Sequence, residues 1–119
     1  MSGMSRHDDS VSLRQMLDHA REAVALTAGK NQDDLLHERV LQLALVRLVE
    51  VIGEAAARVS ENTQTKYRSI PWRDVISMRH KLIHGYDSVD IVVLWDTITD
   101  DLPKLIIELE RACQQGQEG

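Results

Sequence analysis

The stretch VLQLALVRLVEVIGEAAARV, residues 40–59, decides the fold. Its apolar side chains recur every three or four residues, which is the period of an α-helix with one buried face. Leu43, Val46 and Val51 widen that face beyond what a single neighbouring helix would cover. We therefore predict one long helix over residues 33–59, either central in a helical bundle or partly covered by a second subunit.

The rest of the chain repeats this periodicity. Apolar stripes predict three further helices, over residues 11–28, 72–84 and 88–109. Pro103 is expected to kink the last helix or restart it, because proline removes a backbone hydrogen bond. The polar stretch 60–70 is expected to be a loop.

These elements predict an all-α fold, an up-and-down four-helix bundle with a kinked last helix. The chain has 119 residues, enough for one small domain, which we place at residues 10–112. Flexible tails are expected at residues 1–9 and 113–119. Cys113 is the single cysteine, so neither an intramolecular disulfide nor a cysteine-based zinc cluster can form. Because no signal peptide or membrane-length apolar run is present, we expect a cytoplasmic protein with no membrane partner.

The charge distribution is strongly uneven. The net charge is −5, yet residues 65–85 carry five basic side chains against one acid, Asp74. Such a basic window in an acidic chain predicts an anion-binding site. We assign phosphate binding to four of its cations: Lys66, Arg68, Arg73 and Lys81.

Residues 76–86, ISMRHKLIHGY, are the most informative for chemistry, and three interpretations are open. His80 and His84 are one helical turn apart and could ligate a metal with a third ligand such as Asp87. Alternatively, His84 caps the helix end, where nearby cations favour the negative end of the helix dipole.

In the third interpretation, His84 is a general acid or base and Arg79 stabilises charge on a phosphate. RNA supplies its own nucleophile, the 2′-hydroxyl, so cleavage needs only proton transfer near neutral pH and a cation. No metal and no cofactor is then required.

Arg79, four intervening residues, His84, one residue and Tyr86 form an Arg-x4-His-x-Tyr pattern that resembles the HepT-like ribonucleases of the HEPN class. Three further segments support the resemblance: VIGEAA at 51–56, IPW at 70–72 and DLPKL at 101–105. Together they extend the resemblance over most of the chain.

The resemblance implies a homodimeric, metal-independent endoribonuclease that is the toxin of a type II/VII-like toxin–antitoxin module. Arg79 and His84 would be catalytic, with paired motifs from two subunits in one cleft. His80 stands where the family often has asparagine and would play a supporting role. The antitoxin would be an MntA-like nucleotidyltransferase that attaches AMP to Tyr86, which would fill the cationic site with negative charge.

Two further expectations concern the same region. Glu54 lies within the apolar stripe of the predicted second helix, and we expect it to pair with a cation such as Arg79 or Arg73 rather than to take part in catalysis. A second functional class also stays open. The chain could instead be a non-catalytic, nucleotide-binding HEPN subunit of a nucleotidyltransferase complex.

Overall fold

The computed structural model of the chain describes residues 8–84 and 88–118. Seven α-helices, two short strands and two short helical turns of other types follow one another in the described residues. They are α1 (Asp9–Leu26), α2 (Gln32–His37), α3 (Arg39–Arg58), α4 (Glu61–Lys66), α5 (Trp72–Ile76), a 3₁₀ turn (Met78–Lys81), β1 (Ile83–His84), β2 (Ser88–Val89), α6 (Ile91–Asp96), a π-helical turn (Thr97–Asp101) and α7 (Leu102–Glu118). The predominance of helix confirms the all-α prediction, whereas the up-and-down four-helix arrangement and the homodimer stay predictions.

The core lies between α1, α3 and α7, since α1 packs along both of the other helices. Fully buried aliphatic side chains from all three fill it, namely Met16, Leu17, Leu45, Ile52 and Leu109. Their spacing within each helix matches the stripes seen in the sequence. Within the described residues, no helix has both the length and the apolar character needed to cross a membrane.

The prediction of one unbroken helix over residues 33–59 is wrong, because the chain leaves helical geometry at Glu38 (φ −111°, ψ 89°). The short helix α2 ends there, and Gln42 satisfies its last carbonyl groups. The Gln42 side-chain amide donates to the carbonyl oxygens of Leu35 (2.9 Å) and Leu36 (3.1 Å). The apolar stripe continues across the break, so periodicity alone did not reveal it.

The predicted helix over residues 72–84 is also wrong in extent, because α5 ends at Ile76. The Ser77 hydroxyl donates to the Arg73 carbonyl oxygen (2.9 Å), and the chain tightens into the 3₁₀ turn. Strand β1 then pairs antiparallel with β2. The last helix, predicted from residue 88, begins instead with α6 at Ile91, and Asp90 caps it by accepting from the Val93 amide (3.1 Å). Gly85 and Asp87 lie outside the described residues.

One segment that was predicted to be a loop and one that was predicted to be a flexible tail both contain helix. Residues 61–66 of the expected loop form α4, whose cap Ser60 also donates to Asp9 at the start of α1 (2.6 Å). At the other end of the chain, α7 stays helical to Glu118, where we had placed a flexible tail from Cys113 onward.

The last helix is interrupted near Pro103, as predicted. A π-helical turn over Thr97–Asp101 separates α6 from α7, and Pro103 lies in the first turn of α7. Proline has no N–H to donate to the carbonyl group four residues earlier, so the regular ladder cannot run through this point. The hydroxyl groups of Thr97 and Thr99 donate to the carbonyl oxygens of Val93 and Trp95, both at 2.8 Å.

Candidate functional site

The candidate site lies where α5 and the 3₁₀ turn meet the middle of α3. Gly53 makes this contact close. A Cβ atom there would be 3.1 Å from the Ile76 carbonyl oxygen and 3.2 Å from that of Val75. The carbonyl end of α5 therefore rests directly on the backbone of α3, which is a recurrent use of glycine in helices.

From this contact the chain turns at Ser77 and carries Arg79 back onto α3. The Arg79 guanidinium Nη1 donates to Glu50 Oε2 (3.3 Å). The Arg79 side chain is 52% exposed, so the same guanidinium also faces solvent. Arginine has five N–H donors, and one bond to Glu50 leaves donors for a phosphate.

Arg79 and His80 line one cleft of about 270 Å³ between α3 and the 3₁₀ turn. The remaining lining residues come from α3 and α5: Val49, Glu50, Gly53, Glu54, Ala57 and Ile76. His80 is exposed and its backbone amide donates to the Ser77 carbonyl oxygen (3.0 Å), which holds it on the turn. The structure thus brings a permanent cation and a histidine to the same opening.

Glu54 pairs with a cation, as expected, but the cation is Arg47 rather than Arg79 or Arg73. Glu54 is not in the core but 53% exposed, and its carboxylate lies 3.8 Å from Arg47. The acid that pairs with Arg79 is Glu50, which sequence reasoning missed. The sequence did carry a signal for Glu50, because positions 50 and 54 are one helical turn apart and share a face.

The cations of the basic window do not all line the same groove. Lys81 lines a groove of about 730 Å³ beside α7, together with Lys104 and Arg111. Lys66 lines another, of about 440 Å³, between α4 and the ends of α1 and α7. Its ammonium group lies 5.3 Å from the centre of the Tyr67 ring.

Arg68 and Arg73 are exposed. As far as the described residues define these three openings, neither arginine lines any of them. The assignment of phosphate binding to Lys66, Arg68, Arg73 and Lys81 stays a prediction.

The expectation that Arg79 and His84 act together in catalysis also stays a prediction. The His84 backbone lies in β1, opposite Ser88, but the His84 side chain and all of Tyr86 lie outside the described parts of the chain. Positions 79 to 84 span a 3₁₀ turn and the start of a hairpin, so the one-turn helical spacing assumed for His80 and His84 does not apply. Among the side chains that the structure describes, which do not include that of His84, no group of three or more His, Cys, Asp or Glu residues could hold a metal ion.

Comparison with known proteins confirms the family. Residues 16–112 match the model described as ribonuclease HepT-like, so the chain belongs to that family. Two Methanocaldococcus jannaschii proteins named as candidate RNases are similar. One is 28% identical over 107 residues, covering 90% of this chain and 98% of the relative. The other is 30% identical over 108 residues, covering 91% and 89%.

A protein of Thermococcus cleftensis, named as a probable ribonuclease HepT, is 39% identical over 79 residues, which are 66% of this chain and 72% of that protein. No solved structure matches the chain.

Proposed function

We propose that the chain is an endoribonuclease, the toxin component of a type II/VII-like toxin–antitoxin module. The observation that carries this proposal is membership of the ribonuclease HepT-like family over residues 16–112. RNA is the substrate class that the names of the relatives indicate. The cleft that holds Arg79 and His80 is where we place the chemistry.

Arg79 stabilises the charge that develops on the scissile phosphate. Its guanidinium is always ionised and presents planar donors that match phosphate oxygens. Its half-exposed position at a cleft supports this role, because the phosphate can reach it without a rearrangement of the core. A cation that is already held where negative charge develops in the transition state lowers the activation free energy of cleavage.

His84 moves the protons. The 2′-hydroxyl of RNA attacks the adjacent phosphorus, the new 2′-oxygen–phosphorus bond forms and the bond to the 5′-oxygen breaks. One proton leaves the 2′-hydroxyl and another reaches the 5′-oxygen, and an imidazole can serve both transfers near neutral pH. His80, at the cleft beside Arg79, is the supporting residue. This scheme uses neither a metal nor another cofactor.

The active form is a homodimer. Val40 is 80% exposed and Leu43 is 51% exposed, and both continue along α3 on the side that carries Arg47 and Glu50. A two-fold contact between two copies of this apolar end would cover these side chains and bring the two Arg79 clefts near each other.

The antitoxin partner is an MntA-like nucleotidyltransferase that transfers AMP to Tyr86. The motif places Tyr86 two residues after His84 in the sequence. Negative charge added to Tyr86 would fill the cationic site and compete with RNA. Intact mass measured after co-expression with the transferase is expected to show added AMP in the wild type and in Tyr67→Phe, but none in Tyr86→Phe. AMP that maps to Tyr67 would contradict the assignment.

The decisive experiment is cleavage of RNA by the purified protein in the presence of EDTA. We compare the wild type with Arg79→Ala and His84→Ala, and we use His37→Ala as the control, because His37 lies on α2 and is 71% exposed. The wild type and the control should cut RNA, while the two site variants should not. If the wild type, shown by mass to be unmodified, does not cut, the chain is instead a non-catalytic nucleotide-binding subunit of a nucleotidyltransferase complex.

A further inference from the structure

The Glu50 carboxylate stands between two arginines, and each of its oxygens has its own partner. Oε2 accepts a hydrogen bond from Arg79 Nη1 (3.3 Å), while Oε1 lies 3.6 Å from Arg47 Nη1. Arg47 also lies 3.8 Å from Glu54. The carboxylate is therefore oriented from both sides, which fixes the direction in which Arg79 is held.

The acid is the most enclosed member of this group. The Glu50 side chain is 22% exposed, against 52% for Arg79 and 64% for Arg47. Its neighbours along α3 include the fully buried Val49 and Ile52, so its backbone is fixed by the core. Arg79, by contrast, sits on a four-residue 3₁₀ turn with no side-chain cap. The rigid helix thus carries the anchor, and the short turn carries the cation.

An unanchored arginine samples many side-chain conformations, and holding it costs conformational entropy at the moment of binding. A bond from Nη1 to Glu50 removes part of that cost in advance and leaves other N–H donors facing the cleft. We propose that Glu50 is the positioning residue for Arg79 and holds the guanidinium in the orientation that receives the scissile phosphate. This inference rests on the proposed ribonuclease function.

A positioning role can be separated from a purely electrostatic one. An acid beside a phosphate site repels RNA, so loss of the Glu50 charge alone would strengthen RNA binding and lower KM. Loss of the anchor would instead misplace Arg79 in the transition state and lower kcat. The two roles therefore change different kinetic constants.

The test compares Glu50→Ala and Glu50→Gln with Glu108→Gln. Glu108 is a matched control, because it is 25% exposed, lies 3.0 Å from Arg111 and does not line the Arg79 cleft. The comparison uses kcat rather than KM, since the groove that Glu108 lines also holds Lys81. We expect Glu50→Ala to lower kcat by about ten- to a hundredfold without raising KM. Glu50→Gln should lie between Glu50→Ala and the wild type, because its amide oxygen still accepts a hydrogen bond. Glu108→Gln should keep the wild-type kcat.

A second readout does not depend on activity. The NMR order parameter of the Arg79 Nε–H group, assigned by its loss in Arg79→Lys, should fall in Glu50→Gln and stay unchanged in Glu108→Gln. Glu50→Gln also serves if Glu50→Ala does not fold.

The failures of the inference and of the proposed function are distinguishable. If the wild type cuts RNA, Arg79→Ala does not, and Glu50→Ala has the kcat of Glu108→Gln, the positioning role is overturned while the ribonuclease stands. An unchanged Arg79 order parameter in Glu50→Gln also overturns it. A wild type that cuts no RNA overturns the proposed function and this role with it.

Discussion

Gly53 of α3 and Ile76, the last residue of α5, lie so close that a Cβ atom at position 53 would be only 3.1 Å from the Ile76 carbonyl oxygen. The Val75 carbonyl oxygen would be at 3.2 Å. Both are backbone atoms, so neither can rotate away as a side chain would. This contact sets the distance between the helix that carries Glu50 and the turn that carries Arg79.

Gly53→Ala should therefore fail to stabilise the protein. Alanine in place of glycine normally stabilises a helix interior by about 1 kcal/mol, but here the methyl group would push α5 away from α3. Gly116→Ala is the control, because a Cβ at that position on α7 meets nothing within 4 Å. Urea unfolding should show a gain for Gly116→Ala and none, or a loss, for Gly53→Ala. Equal gains would contradict the close contact.

The break between α2 and α3 depends on Gln42. Gln42→Met keeps the approximate shape of the side chain but removes the amide that donates to the carbonyl oxygens of Leu35 and Leu36. We expect a loss of about 1–3 kcal/mol in the free energy of unfolding, because carbonyl groups in a buried setting are left without that donor. Gln114→Met, at an exposed position on α7, should change it by less than about 0.5 kcal/mol. Equal effects of the two substitutions would exclude this role.

Sequence periodicity located the long helices well, because burial of one face requires the same spacing in any helical packing. It could not find the break at Glu38, since a side-chain amide ends α2 while the apolar stripe continues past it. The helix prediction from periodicity failed at residues 77–84 for a similar reason. The composition there suits a helix, but bonds from Ser77 and the pairing of β1 with β2 select a tight turn and a hairpin.

The candidate site was predictable in part. The sequence named Arg79 and His80, and the structure places both at one cleft. It expected Glu54 to pair with a cation such as Arg79 or Arg73, but Glu54 lies beside Arg47. The partner of Arg79 is Glu50, one turn earlier on the same face of α3. The choice between two acids on one face depends on where the turn after α5 returns to α3. That position follows from the tertiary contact at Gly53, which periodicity does not encode.

Cys113 should react slowly with thiol reagents. Burial raises the pKa of the Cys113 thiol, an effect that the positive charges of Arg14 and Arg21 oppose. Because the thiolate is the reactive form, iodoacetamide should modify the folded protein at pH 8 more slowly than the protein unfolded in urea. Mass spectrometry gives a clear readout, since the chain has one cysteine. Equal rates would contradict the raised pKa.

The raised pKa of the Cys113 thiol also makes the free energy of unfolding depend on pH in the alkaline range. The folded state keeps the Cys113 proton to a higher pH than the unfolded state, whose thiol ionises near the ordinary value of 9.0. The stabilising contribution of the protonated Cys113 thiol is complete below the pKa of the unfolded state. It is lost as the pH rises through the higher pKa of the folded state. The free energy of unfolding should fall less steeply above pH 9 in Cys113→Ser, which cannot ionise there, than in the wild type. Identical slopes would contradict the linkage.

RNA binding should depend on Lys81 much more than on Lys66. Lys81 lines the groove beside α7 but lies only two residues after Arg79 on the same 3₁₀ turn. Lys66 lies on α4, in a different groove, and its ammonium group stands over the Tyr67 ring. Each phosphate contact with a single strand contributes about 0.7 to the slope of log K against log salt concentration. In a His84→Ala background that does not cut, Lys81→Ala should therefore flatten this slope by about 0.7, and Lys66→Ala should flatten it by less. If Lys66→Ala flattens it as much, RNA also follows the groove between α4 and the ends of α1 and α7, and the bound strand extends well beyond the Arg79 cleft.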